Sequence, residues 1–428
     1  MTINKIKFFL KQKETKKILE NFFSLSFLQI ANYVLPLVTL PYLVRVLGPE
    51  KFGLTAFAQA FTLYFIFLSD FGFNISATKE ISINRKDVDK VSEIFISVFF
   101  LKIILVIISF VVFLFIVSFV TTFNKEELFY LLNFLAVFGW ILFPQWYFQG
   151  VEKMKFIAIL NLLSKLIFTS TIFIFIKNSN DYVILPVLNF IGLFISGILS
   201  LFIIFKYHAI NWKIPSFSAI KNQFDLSLQI FISSIGMNLY TTSNSVILGF
   251  LTNNVTVGYY TAAEKIFKAF QYLSIPLNQA IFPHFSQLIS SDKEKAVRLF
   301  NRFFWLLLLL ASIVSCAMVL GSPLVKLFLG KDYLPSILIF SILSIGLIPS
   351  LGNYTLGIQG LVNFGYAEIF AKTVLFCGLA HIILLIIVTL SFGYIAVPIL
   401  WVCTEIVIFI FLFNYLKRLE IIKVGFGK

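Results

Sequence analysis

The amino-acid sequence predicts an all-α integral membrane protein of about twelve transmembrane helices, roughly six in each of two lobes. Hydrophobic residues make up 59% of the 428 positions and charged residues 13%, well outside the balance of a water-soluble domain. Apolar runs of about 20 residues, enough to cross a hydrocarbon core about 30 Å thick, follow one another almost end to end. Lys and Arg collect in alternate connecting segments, as they do when one face of a bilayer is cytoplasmic.

Taken in order, the apolar runs lie near Ile18–Val46, Phe52–Ser76, Phe95–Thr122, Leu128–Gln149, Phe156–Ile176 and Tyr182–Phe205. A polar stretch, Lys206–Gln223, separates them from runs near Leu226–Leu251, Val257–Ile281, Phe303–Leu320, Ser336–Gly360, Tyr366–Leu390 and Tyr394–Tyr415. The expected organisation is an N-terminal lobe over residues 1–205, a cytoplasmic linker over 206–223 and a C-terminal lobe over 224–428. Placing the amino terminus in the cytoplasm puts Lys5 to Lys17, Lys79, Arg85, Lys86, Lys90, Lys153, Lys155, Lys206, Lys213, Lys293, Arg298, Lys417 and Lys423 on one face, with both termini cytoplasmic. The turn Leu47-Gly48-Pro49-Glu50-Lys51-Phe52-Gly53 has a counterpart in Leu251 to Gly258, each followed by small and aromatic residues. This weak repeat predicts two parallel halves with a substrate site at their interface.

Several function classes are excluded by what is spread out or missing. The formal charge of +14 is distributed between apolar runs rather than gathered on a basic domain, which argues against nucleic acid. Cys316, Cys377 and Cys403 sit inside apolar runs without ligand spacing, so neither a disulfide nor a metal is expected. The basic Lys5–Lys17 stretch lacks the short apolar core and cleavage site of a removable signal. No phosphate loop, HExxH or CxxC is present, and His208, His284 and His381 are far apart, which disfavours an enzyme or an ATP-driven pump.

The informative residues are charges inside the apolar runs, each costing about 2.5–3.5 kcal/mol at a helix centre unless it faces a cavity or a partner. Lys165 lies near the middle of its run, too deep to snorkel, and is read as cavity-facing. Lys102 either snorkels or faces the cavity, and Asp70 either couples transport to an ion or pairs near Lys79. Glu264 and Lys268 share a helical face with Lys265 beside them, which leaves one cation for an anionic ligand or water. Arg45 is an interfacial anchor or a cavity-mouth cation. Glu368 and Lys372 are a local pair, while Glu405 makes a helix–helix hydrogen bond or couples an ion. Of the prolines within runs, Pro36, Pro41, Pro144, Pro186, Pro276, Pro349 and Pro398, the first two are read as a functional hinge.

The segments Pro41-Tyr42-Leu43-Val44-Arg45-Val46-Leu47-Gly48-Pro49-Glu50-Lys51-Phe52-Gly53 and Asp70-Phe71-Gly72-Phe73-Asn74-Ile75-Ser76-Ala77-Thr78-Lys79-Glu80 resemble the bacterial O-antigen and polysaccharide-unit flippases. So do Gln149-Gly150-Val151-Glu152-Lys153-Met154 and Gly258-Tyr259-Tyr260-Thr261-Ala262-Ala263-Glu264-Lys265-Ile266, while Lys79 and His284 depart from the arginine or other firm cation expected there. The resemblance implies the multidrug, oligosaccharidyl-lipid and polysaccharide exporter superfamily, with a MATE-like V-shaped central cavity between two six-helix lobes. It also implies an undecaprenyl-diphosphate-linked oligosaccharide as substrate, moved to the outer leaflet of the bacterial inner membrane by alternating access, and a polysaccharide polymerase and chain-length regulator as partners. No cofactor is expected beyond proton or sodium coupling. On this reading Arg45, Lys102, Lys165, Lys265 and Lys268 attract the diphosphate, and Asp70 or Glu264 couples the cycle to an ion. The rival readings are a multidrug or organic-cation antiporter of the same fold and a membrane glycosyltransferase or polymerase.

Overall fold

The computed structural model describes the backbone of residues 13–207, 210–212 and 214–422. Side chains are described from Val34 onward within these, except at 207, 233–241, 275–277, 279–280, 283–284 and 290. The Lys5–Lys17 stretch, His208, Lys213, Pro276, His284 and Lys423 therefore lie outside the described side chains.

The helices are α1 (Lys13–Asp70), α2 (Phe73–Asn84), α3 (Val88–Phe119), α4 (Glu127–Ile141), α5 (Gln145–Gly150), α6 (Met154–Phe175), α7 (Leu185–Tyr207) and α8 (Phe217–Leu251). They continue with α9 (Asn254–Tyr272), α10 (Ile275–Ser291), α11 (Lys293–Leu320), α12 (Val325–Leu329), α13 (Pro335–Ile345), α14 (Leu347–Tyr354), α15 (Ala367–Phe392) and α16 (Ala396–Arg418). Among the described residues no strand occurs, as lipid demands when every backbone group must be bonded within its own segment. Asp87, Asn253 and Asp292 cap α3, α9 and α11 by accepting from backbone N–H groups three residues on.

Among the described residues, eight helices are long and apolar enough to cross a bilayer, or up to nine if α13 and the segment Leu347–Val362, bent by 41°, form one span. The chain is a multi-pass membrane protein, and exactly twelve crossings stays an expectation. The stretch Val34–Asn84, which covers the end of the first expected run and all of the second, counts once. The polar content of α9, which carries Glu264, Lys265 and Lys268, keeps it from standing out by hydropathy.

The chain falls into two compact units, Met1–Thr39 with Phe61–Ser234, and Leu40–Ala60 with Ile235–Lys428. This partition differs from the lobes expected from the linker, and side-chain packing explains both differences. Within the first unit Phe71, in a left-handed turn (φ 47°), stacks on Phe224 and Phe231 with centroids 5.0 and 4.5 Å away, which binds the start of α8 to this unit. Within the second, Gly53 and Gly258 allow two backbones to touch. A Cβ on Gly53 would stand 1.7 Å from the Asn254 carbonyl oxygen, and one on Gly258 would stand 2.2 Å from the Pro49 carbonyl oxygen. The two turns that resemble each other in sequence therefore pack reciprocally.

Small residues do similar work elsewhere, because lipid supplies no hydrophobic drive between helices and close contact must replace it. In the first unit a Cβ on Gly192 would fall 2.6 Å from the Ser164 carbonyl oxygen, and Ser196 and Ser200 donate to the carbonyls of Leu160 and Leu142. Its core gathers Phe73, Phe95, Trp146, Tyr147 and Phe148, and that of the second unit Phe300, Phe304, Leu356, Leu412 and Leu416. Helical backbone angles persist through Pro36 and Pro41, and the break in α1 falls at Gly48 (φ 69°, ψ 173°). Beyond α14 the chain widens into a π-helix over Thr355–Val362, a form common where a helix has a functional irregularity.

Candidate functional site

In the first unit, α1 ends at Asp70, whose carboxylate accepts from Lys102 Nζ of α3 (2.8 Å) and from Asn74 Nδ2 at the start of α2 (2.8 Å). Lys102 is 3% exposed, so its ammonium is held by a carboxylate inside the helix layer rather than extended to the headgroups. The sequence offered Lys79 as Asp70's neighbour; the left-handed turn at Phe71 and Gly72 instead directs the carboxylate at α3. A further cation of this unit, Arg85, pairs with Glu152 (2.5 Å). Thr78 donates to the Trp146 carbonyl, which joins α2 to α5.

Lys165 stands apart. It lies midway along α6, half-buried, and among the described residues it makes no ion pair or hydrogen bond. A half-buried cation at mid-helix carries part of its desolvation cost with no ion pair among the described residues to offset it.

In the second unit α9 brings Glu264, Lys265 and Lys268 together. Lys268 Nζ lies 2.9 Å from Glu264 Oε1, the expected pair one turn apart. Lys265 points elsewhere, with Nζ 5.1 Å from the centroid of Phe52, whose ring meets Tyr333 edge-on. The cation left over by the local pair thus rests on an aromatic face, which attracts positive charge without neutralising it. Arg45 is exposed and donates from Nη2 to the carbonyls of Leu327 (2.7 Å) and Phe328 (3.3 Å), capping α12. Glu405 accepts from Asn353 Nδ2 (2.7 Å), making the helix–helix hydrogen bond. Lys372 and Glu368 form an exposed pair (2.6 Å).

A third group was not legible in the sequence. His381 of α15 is 1% exposed, with Nδ1 2.8 Å from Thr404 Oγ1 of α16 and Nε2 2.9 Å from Asn244 Oδ1 of α8. Asn244 Nδ2 donates to Tyr260 Oη (2.8 Å), and Tyr260 hydrogen-bonds Glu264 one turn along α9. Four helices thus join in one buried polar chain ending on the Glu264–Lys268 pair. The only signal for it in the sequence is a lone histidine within the apolar run Tyr366–Leu390, a position that by itself marks an intramembrane ionisable group.

The arrangement shown by each unit can be set beside known proteins. The model of the family described as "Polysaccharide biosynthesis protein" matches residues 18–289. A protein of Escherichia coli K12 named "Putative O-antigen transporter" is 33% identical over 387 residues, which cover 90% of this chain and 93% of that protein. One of the same name from Shigella dysenteriae is 28% identical over 307 residues, 71% of this chain and 76% of that protein. Among solved structures, an inward-facing multidrug resistance MATE family transporter of the MOP superfamily aligns with a TM-score of 0.72 at 15% identity, over 93% of this chain and 99% of that one. The lipid II flippase MurJ, in an inward closed conformation, aligns with a TM-score of 0.71 at 17% identity, over 93% of this chain and 87% of that one. These two likenesses establish the fold.

Proposed function

Since the chain belongs to the polysaccharide biosynthesis protein family, we propose that it is a flippase. It carries undecaprenyl-diphosphate-linked oligosaccharide from the cytoplasmic to the outer leaflet, for O-antigen or another surface polysaccharide. The names of the relatives point to transport rather than to an enzyme, and MurJ, a lipid II flippase, has the same fold. The proposed setting is the bacterial inner membrane with both termini cytoplasmic, residues 206–223 linking two lobes. A polysaccharide polymerase and a chain-length regulator are the proposed partners. Transport is by alternating access coupled to a proton or sodium ion.

The observation that carries the reading is Lys165, an ammonium at mid-helix with no counter-charge among the described residues. A diphosphate is a compact, doubly ionised group, and in a low-dielectric setting a lysine attracts it far more strongly than in water. Lys165, with Lys265 and Lys268, is the proposed diphosphate contact. Of the two carboxylates offered for coupling, Asp70 is closed in a buried pair with Lys102, so Glu264 is the proposed coupling group, and Arg45 contributes through its cap on α12. A multidrug antiporter for organic cations is disfavoured by this balance. Asp70 and Glu264 are each matched by a lysine, and Lys165 and Lys265 leave positive charge in excess.

The test is transbilayer movement of a fluorescent lipid-linked oligosaccharide in proteoliposomes. The native protein is expected to move it and Lys165→Met to do so at least about tenfold more slowly, the loss of a charge-assisted contact. Equal rates in native and protein-free vesicles would overturn the flippase reading.

A further inference from the structure

The direction of each hydrogen bond in the buried chain of the second unit follows from the amide of Asn244. It offers Nδ2 to Tyr260 Oη, at 2.8 Å, so that oxygen accepts and its single proton turns toward Glu264. Asn244 Oδ1 then faces His381 Nε2 at 2.9 Å. Nε2 must then carry hydrogen. Every donor from the imidazole onward points toward the same carboxylate.

The other ring nitrogen faces a partner that accepts either protonation state. Thr404 Oγ1 lies 2.8 Å from Nδ1 and 2.8 Å from the Leu400 carbonyl oxygen of its own helix. With a neutral imidazole the hydroxyl turns its proton to Nδ1. With an imidazolium, Nδ1–H donates to Oγ1 and the hydroxyl donates to Leu400. No heavy atom moves, so one proton can be held or released at His381 with its bonds to Asn244 and Thr404 kept in both states.

Charge decides when the proton is held. Around the chain, α9 contributes Glu264, Lys265, Lys268 and Tyr260, and α16 contributes Glu405 beside Thr404, itself accepting from Asn353. α8 contributes the neutral Asn244. With Glu405 counted, the two carboxylates equal the two lysines in number, so an added imidazolium is the unmatched charge, which burial penalises until an anion arrives. The diphosphate of a diester, with one negative charge on each phosphate, is such an anion.

We infer that His381 is a proton-carrying positioning residue, wired through Asn244 and Tyr260 to Glu264, which takes up a proton when the diphosphate of the substrate binds near Lys265 and Lys268. This rests on the flippase reading and names the coupling ion as a proton. Linkage makes the effect reciprocal: protonation strengthens anion binding by the factor that the anion strengthens protonation. Affinity therefore rises as pH falls through the titration of the His381 imidazole.

The experiment uses the full chain in lipid nanodiscs with farnesyl-diphospho-N-acetylglucosamine, a diester whose phosphates do not titrate in the range of an imidazole. Calorimetry in buffers of different ionisation enthalpy counts protons. Uptake of about one proton per ligand is expected, with affinity about tenfold higher at the acid end, both lost in His381→Gln. Nitrogen NMR of the three histidines, assigned by the signal missing in that variant, is expected to place the neutral ring's hydrogen on Nε2. Should His381→Gln fail to fold, Thr404→Val removes the acceptor that the imidazolium needs and must cut the uptake by more than half. Binding without proton uptake, or hydrogen on Nδ1 in the free protein, overturns the inference while leaving the flippase standing. No binding of the diester by the native protein overturns both.

Discussion

The two units handle buried charge in opposite ways. In the first, Asp70 and Lys102 neutralise each other at close range, and Lys165 is left with no partner among the described residues. In the second, charge is drawn into a line of hydrogen bonds running from His381 through Asn244 and Tyr260 to Glu264 and Lys268, with Lys265 resting on Phe52. A closed pair holds a fold together and answers little to its surroundings. A bonded chain ending on ionisable groups at both ends can report a charge at one end to the other, because each proton position depends on its neighbour's. On the proposed function, the closed pair of Asp70 with Lys102 serves the fold, Lys165 is the proposed group for ligand attraction, and the second unit is the proposed place of coupling.

That contrast can be broken most severely at its closed pair. Asp70→Asn leaves Lys102 buried and unmatched, and a loss of roughly 3–5 kcal/mol is expected, seen as a large drop in the melting temperature of the purified protein. The double variant Asp70→Asn, Lys102→Met should recover most of it, since neither charge is then stranded. A smaller effect, and one confined to transport, is expected at Lys165. Lys165→Met should slow flipping by about 10- to 100-fold while its melting temperature stays level or rises, because no protein bond is lost. A fall in stability comparable to that of the Asp70 variant would show a structural partner and erase the distinction between the two cations. Within the second unit, Asn244→Leu takes one hydrogen bond each from the ring of His381 and the hydroxyl of Tyr260, for a cost of about 1–3 kcal/mol in denaturant or thermal unfolding. The least effect belongs to Arg45→Ala: its guanidinium is exposed, so loss of the α12 cap should cost under about 1 kcal/mol in the same measurement and leave flipping within about twofold.

Legibility in the sequence followed the range of each interaction. Glu264 with Lys268 and Glu368 with Lys372 were readable because a helix sets neighbours one turn apart whatever surrounds it. Lys165 drew attention because it lies far from both ends of an apolar run, where snorkelling is hard. Asp70 drew attention as an intramembrane carboxylate, but its partner is 32 residues away in sequence, and choosing Lys102 over Lys79 required the turn at Phe71 and Gly72. Lys265 was counted as free because nothing local reveals that Phe52, far upstream, lies under its ammonium. The chain through His381 was missed altogether, since its four members lie on four helices and three of them are neutral residues common in any membrane span.

By itself, then, the sequence determined an all-helical multi-pass membrane protein and the local ion pairs, for hydropathy and helical periodicity are properties of neighbouring residues. Only the tertiary structure decided that Leu40–Ala60 packs with the second unit, that Lys102 answers Asp70, and that His381 is joined to Glu264. Those outcomes depend on how each helix is rotated about its axis and how closely glycine lets two backbones approach, and neither quantity is written in a run of residues along one helix.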